Sequence, residues 1–353
     1  MARPAYQNHA IQRVRSRIIT NQKVLKRIEI GKRRLVRILR AHGIANARTL
    51  EQKISDAGPS NQRVDPLYLT FARDELIANG VILQQEPAGT PWYYLSETQS
   101  QIVASRLSEQ LPVYTQLQHP SLIPRIGQAL EIAIYKALLT QSTFASYGGF
   151  TDLNQHDDST KYNKHEPPQV VTGKITPGIL DFLLRKDGQH VGIEAKNIRP
   201  WIYPRDELIK ELLKKCCAID ALPVLIARRI SYVAFSELFR HCGVVIHQTY
   251  NQRFPDSASD LAGKARHKKM LGYHDIRLGN EPDARLIKFL HTDLPAVLPT
   301  ATARFNEHRD LLESFAYGKI SYLAFHTELR LRLGIYQPRE EEFPEVDYEE
   351  HWY

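Results

Sequence analysis

The segment GILDFLLRKDGQHVGIEAKN, Gly178 to Asn197, constrains the fold of this chain more than any other stretch. Two apolar runs flank Asp187-Gly188, a dipeptide that favours a two-residue hairpin loop because both loop positions take positive φ. With that pair as the loop, Lys186 pairs with Gln189, and counting outward sets Asp181 directly across from Glu194. Directly opposite residues share a face, with Cβ atoms about 4.5–5.5 Å apart. Alternation sends Val191, Ile193 and Ala195 to the buried face and Glu194 and Lys196 to the other. Two carboxylates so placed in apolar strands repel each other and lose hydration, which raises a pKa or weakens the sheet unless a cation lies between them. Mg²⁺ meets that need, because it is commonly held by one or two carboxylates together with water and phosphate oxygens. Lys196, two positions beyond Glu194, reaches toward the same place.

The remaining elements read outward from this hairpin. LIPRIGQALEIAIYKALLT predicts a helix with Leu130, Ile134 and Leu138 along one stripe and Glu131 at its edge. The polar segment from Gln141 to Thr176 predicts a loop over a site, and its His156, Asp157 and Asp158 read as solvated. After the hairpin come a helix (DELIKELLKKCCAID), a strand (PVLIARRI), a helix (YVAFSELFRHC) and a strand (VVIHQTYNQ). Two further helices read from ARLIKFLHTDL and FNEHRDLLESFAYGKISYLAFHTELRLRLG. Earlier in the chain, RRLVRILRAHGI, TLEQKISDAG and DPLYLTFARDELIANG predict three helices. Asp65 caps the third and Pro66 takes its first position. VILQQEPAGTPWYYLSE then gives two strands around a turn.

Charge adds to the reading. Arg13, Arg15, Arg17, Lys23, Lys26, Arg27, Lys32, Arg33, Arg34, Arg37 and Arg40 crowd the first stretch against the lone acid Glu29. With a net charge of +8 for 353 residues, this points to a polyanion such as DNA. Lys264, Arg266, His267, Lys268 and Lys269 form a second basic segment, and Lys210, Lys214, Lys215, Arg228 and Arg229 are either groove-lining or solubility charges. The end reverses sign, with Glu340, Glu341, Glu342, Glu345, Asp347, Glu349 and Glu350 forming an acidic tail suited to a protein partner or to self-shielding. No apolar run is long enough to span a bilayer and the N-terminus lacks the apolar core of a signal peptide, so the expected location is cytoplasmic, with no membrane partner. Cys216, Cys217 and Cys242 lack zinc-ligand spacing and read as buried thiols.

Three helices followed by a hairpin resemble a winged helix-turn-helix domain over roughly residues 30–97. Such a domain serves in DNA binding or in protein docking; its candidate recognition helix carries Asp65, Asp74 and Glu75 against one Arg73. Asp181 followed by Glu194-Ala195-Lys196 on the next strand resembles the PD-(D/E)XK nuclease superfamily over roughly residues 122–252, with the proline displaced to Pro177. The resemblance implies an α/β fold: a restriction-endonuclease-like mixed sheet flanked by helices, with the winged-helix domain before it and a small C-terminal helical region after. The expected domains are 1–112, 113–252 and 253–353. It implies that Asp181 and Glu194 ligate Mg²⁺, for which Mn²⁺ substitutes, with the Ala195 carbonyl as a further ligand and Glu131 completing the metal site. Lys196 would position or help deprotonate the attacking water. The implied activity is metal-dependent endonucleolytic cleavage of DNA by a homodimer, in antiviral defence, mobile-element processing or recombination and repair. An inactive DNA-binding or assembly protein and a metal-dependent RNase are the alternatives.

Overall fold

The computed structural model describes residues 22–56, 64–140, 143–155 and 157–335. Arg13, Arg15, Arg17, the side chain of Lys23 and the acidic tail lie outside the described residues. The chain divides into two compact units: one runs to Pro112 and includes Lys268–Tyr273, the other comprises Val113–His267 and His274–Gly334.

In the first unit, α1 (Gln22–His42) buries Val24, Ile28, Leu35 and Leu39 and leaves Lys26, Arg27, Arg33, Arg37 and Arg40 exposed. β1 (Ala45–Asn46) follows, and Asn46 caps α2 (Ala47–Ile54) by accepting from the Thr49 amide at 2.9 Å. α3 (Pro66–Ala78) starts as the sequence predicts, with the Asp65 carboxylate accepting from the Leu67 amide and Pro66 at the first helical position. Leu67, Tyr68, Leu69, Phe71, Ala72 and Leu76 of α3 are buried, so this helix is embedded in its own core and offers little surface to a groove. β2 (Ile82–Gln85) and β3 (Trp92–Leu95) pair antiparallel, and β1 adds to β3, giving the order β1-β3-β2. α4 (Ser100–Leu117) contains Pro112, after which the second unit begins.

The second unit is built on a mixed five-stranded sheet flanked by helices. It contains α5 (Ile123–Leu139), β4 (Ala145–Tyr147), β5 (Gly149–Phe150), β6 (Lys164–His165), β7 (Val170–Val171), β8 (Lys174–Ile175), β9 (Phe182–Lys186), β10 (Gln189–Lys196), α6 (Glu207–Ala218), β11 (Ala221–Ala227) and β12 (Val245–Gln248). The main sheet runs β12-β11-β10-β9-β4, with β10, β11 and β12 parallel and β9 and β4 antiparallel to their neighbours. The turn between β9 and β10 has Asp187 at φ 50° and Gly188 at φ 81°, and Lys186 pairs with Gln189. Gly192 faces α6 so closely that a Cβ there would lie 2.6 Å from Cys216 Sγ. The face of β10 that also carries Glu194 and Lys196 is therefore the α6 side. All three cysteines are free and buried.

The polar segment from Gln141 to Thr176 is more than a loop. It supplies an edge strand, β4, and two small hairpins, because Phe144, Phe150, Tyr162 and Val171 join the core beside α5. Asp158 is buried, not solvated: its carboxylate accepts from the Asp256 and Ser257 amides. Residues 254–267 and 274–334 likewise belong to this unit, and Leu294, Leu298, Phe305, Leu312 and Phe315 share its core with the strands. No described helix is long and apolar enough to cross a membrane.

His247 on β12 stacks on Phe289 at 4.3 Å, and its Nε2 has no hydrogen-bond partner among the described residues. Burial pushes its pKa from 6.5 down to about 4. A histidine with a depressed folded pKa binds its proton more readily when unfolded, so the stability it permits is complete above pH 6.5 and is lost as the pH falls toward 4. The expected loss across that window is about 3 kcal/mol. Denaturation midpoints measured from neutral pH to acid will show wild type falling relative to His247→Phe as the pH drops below 6.5; parallel curves would show that His247 does not titrate in this way.

Candidate functional site

The ladder between β9 and β10 runs in the predicted register from Lys186↔Gln189 to Phe182↔Ile193. It ends there, one pair short of Asp181 and Glu194. The Asp181 amide donates to the Ile193 carbonyl at 3.1 Å, which draws the residue away from a square position across from Glu194. Asp181 Oδ2 accepts from the Ala195 amide at 2.8 Å. In a continued antiparallel ladder that amide would bond the carbonyl of residue 180, so the carboxylate stands in for a strand carbonyl.

The other Asp181 oxygen, Oδ1, accepts from Lys164 Nζ at 2.9 Å. The same ammonium lies 2.9 Å from Glu131 Oε2 and 3.7 Å from Glu166 Oε2. Glu131 projects from the middle of α5 and Lys164 from β6, so helix, strand end and small hairpin converge on one cation. Both carboxylates and the ammonium are largely buried, at 14, 16 and 15% side-chain exposure. Burial, then the Asp181 charge, raise the Glu131 pKa above the ordinary glutamate value despite the opposing Lys164. Burial pulls Lys164 down, but the Asp181 and Glu131 charges outweigh it and its pKa lies above that of an ordinary lysine.

Glu194 is compensated separately. Its side chain is only 4% exposed, with Oε2 accepting from Lys196 Nζ at 2.7 Å and Oε1 from Lys215 Nζ at 2.6 Å. Lys215 also donates to the Ile179 carbonyl. Burial pulls the Lys196 pKa down, while Glu194 and then Asp181 push it up, leaving it above the ordinary lysine value. At 29% exposure, Lys196 is more open than Glu131, Lys164, Asp181, Glu194 or Lys215. The two acidic clusters thus feel each other electrostatically through Lys196 without sharing a ligand.

The end of β10 is fixed from several sides. The Asn197 amide nitrogen donates to the Ile126 and Arg253 carbonyls, and its oxygen accepts from the Arg253 amide. Arg228, at the end of β11, reaches the carbonyls of Ile198 and Arg199 and pairs with Asp275 at 2.7 Å; Arg199 pairs with the other Asp275 oxygen at 2.6 Å. Burial raises the Asp275 pKa, but Arg199 and Arg228 more than offset it, and the carboxyl titrates below the ordinary aspartate value.

The structure therefore places Asp181, Glu194, Ala195, Lys196 and Glu131 in one region but divides the carboxylates between lysines. Lys164 pairs with Asp181 and Glu131, while Lys196 and Lys215 pair with Glu194. Lys164 escaped the sequence reading altogether, and Lys215 read there as a groove or solubility charge. Among the described residues no three His, Cys, Asp or Glu side chains converge on a metal position. The donor set still fits a hard divalent cation. Glu131 Oε2 is buried and ion-paired with Lys164 at 2.9 Å, and its remaining lone pairs meet no aligned donor among the described residues, which leaves them open to a cation. No family model, curated protein or solved structure matches the chain.

Proposed function

We propose that the chain is a metal-dependent nuclease that hydrolyses phosphodiester bonds of DNA. The observation that carries this reading is the gathering of Glu131, Asp181 and Glu194 with Lys196 near the end of one hairpin, with the buried Glu131 and Asp181 oxygens sharing one cation, the Lys164 ammonium. The mixed sheet with α5 and α6 suits a restriction-endonuclease-like core. The helix, strand, two helices and hairpin of the first unit suit a winged helix.

Asp181 and Glu131 would hold Mg²⁺ or Mn²⁺, with Glu194 and the Ala195 carbonyl completing the set once Glu194 is freed from its lysines. When bound, the ion supplies Lewis-acid polarisation of a phosphoryl oxygen and eases deprotonation of water. Lys196, released from Glu194, would present its ammonium to the scissile phosphate and neutralise charge that develops on it. Asp181 holds the Ala195 amide, which fixes the carbonyl and side-chain directions on either side of that peptide. Phosphate contacts away from the reacting group fall to α1, where exposed Lys26, Arg33, Arg37 and Arg40 recur seven, four and three positions apart along one side.

The complete neutralisation of Asp181 and Glu194 by lysines also suits a second reading, a DNA-binding or assembly protein whose core is inactive. One experiment separates the readings: the full chain is incubated with duplex, single-stranded and branched DNA, and with RNA, in Mg²⁺ or Mn²⁺. Cleavage of DNA that chelation stops is the expected result. Cleavage confined to RNA makes the protein an RNase, and DNA binding without any cleavage leaves the inactive core.

A further inference from the structure

We infer that Lys164 is a built-in occupant of the cation position between Glu131 and Asp181, and that a divalent ion enters only when its ammonium swings out. This rests on the reading of the carboxylates as a metal site and adds a competing residue to it. Lys164 Nζ is equidistant from Glu131 Oε2 and Asp181 Oδ1, at 2.9 Å from each. Two carboxylate oxygens separated by a bound cation are what Mg²⁺ requires, with contraction to its shorter bonds of about 2.0–2.1 Å. An ammonium and a divalent ion cannot share that gap, because like charges a few ångströms apart in a largely buried site repel strongly. Occupancy by one excludes the other.

The local structure determines which part moves. Glu131 is fixed by α5, and Asp181 by its bond to the Ala195 amide. The Lys164 backbone is tied as well: Phe150 pairs with it, and two residues earlier the Tyr162 amide and carbonyl both bond the Gln128 side chain of α5, at 2.8 and 2.9 Å. The exchange is therefore a side-chain swing, with four methylene groups of reach and no opening of the segment. A destination is already in place, since Glu166, on the same segment and exposed, has an oxygen 3.7 Å from the ammonium. Moving from two buried acids to one exposed acid is unfavourable for the lysine alone and becomes favourable when an ion replaces it. In the absence of the ion, Lys164 spares the site the repulsion between two buried carboxylates, so the acids are retained without destabilising the core.

The test is ion binding, with no turnover involved. Mn²⁺ and Ca²⁺ are titrated by calorimetry and by thermal melting into full-length wild type, Lys164→Met and Lys164→Gln. Removing the competitor is expected to tighten ion binding about tenfold or more, as expected when a closed state no longer reduces the competent fraction. The ion-free variants melt below wild type, and saturating ion closes that gap. Lys164→Gln keeps a hydrogen-bond donor, so it provides the measurement if Lys164→Met does not fold. Ion affinity in the variants equal to or weaker than wild type overturns the role of Lys164 while leaving the metal site standing. Absence of ion binding in wild type and variants alike overturns the metal site, and this inference with it.

Discussion

Asp181→Asn is expected to lower ion-dependent DNA cleavage by about 10³-fold or more, equivalent to about 4 kcal/mol of barrier. The substitution preserves volume and leaves an oxygen able to accept from the Ala195 amide, so the hairpin keeps its shape. What it removes is the charge of the proposed ligand, which is also one of the two carboxylates that lie 2.9 Å from Lys164. From sequence alone, two facing carboxylates imply strain that the variant would relieve. The lysine between Asp181 and Glu131 reverses that expectation, and the ion-free variant should melt below wild type because Lys164 keeps only Glu131 as a close buried partner. Cleavage rate and melting temperature are read on the same preparation. Cleavage at the wild-type rate would remove Asp181 from the chemistry and the nuclease reading with it.

Asp275→Asn carries the largest expected stability effect. Its carboxylate pairs with Arg228 and Arg199, whose side chains are 3 and 12% exposed, and asparagine leaves both guanidinium groups in place without the Asp275 charge. Breaking one partner of a buried ion pair costs about 3–5 kcal/mol. For a unit of this size that corresponds to a fall in melting temperature on the order of 10 °C. Adding Arg228→Met to the variant should recover part of the loss, because it removes one of the stranded charges. A stability within about 1 kcal/mol of wild type would mean that solvent reaches the pair, since exposed ion pairs contribute no more than that.

Much of the hairpin was legible because its determinants are local. Asp187-Gly188 set the loop, period-two alternation set the faces, and together they placed Glu194 and Lys196 on the side opposite Val191, Ile193 and Ala195. Glu131 was legible as the acidic residue bordering an apolar helical stripe. Lys164 left no such trace. It lies on a two-residue strand in a polar segment without periodicity, and its partners come from a helix and from the start of another strand. Lys215 was hidden among basic neighbours: Lys210 and Lys214 pair with Glu207 at the surface, whereas Lys215 turns toward the sheet. A signal existed for it. A carboxylate in an apolar strand needs a cation, and the helix following that strand borders the same face. The departure of Asp181 from the ladder was unreadable because it depends on a side chain taking the place of a backbone carbonyl.

The bonds that fix the end of β10 join residues made far apart in time. Asp275 follows Arg199 by 76 positions and Arg228 by 47, and Arg253 follows Asn197 by 56. A chain emerging N-terminus first can close its hairpin and begin its sheet well before these partners exist. Nascent chains that end before these partners therefore carry Asn197, Arg199 and Arg228 without Arg253 and Asp275. These bonds wait for the chain through Asp275 to emerge, so the end of β10 takes its final shape after the hairpin before it can already have closed.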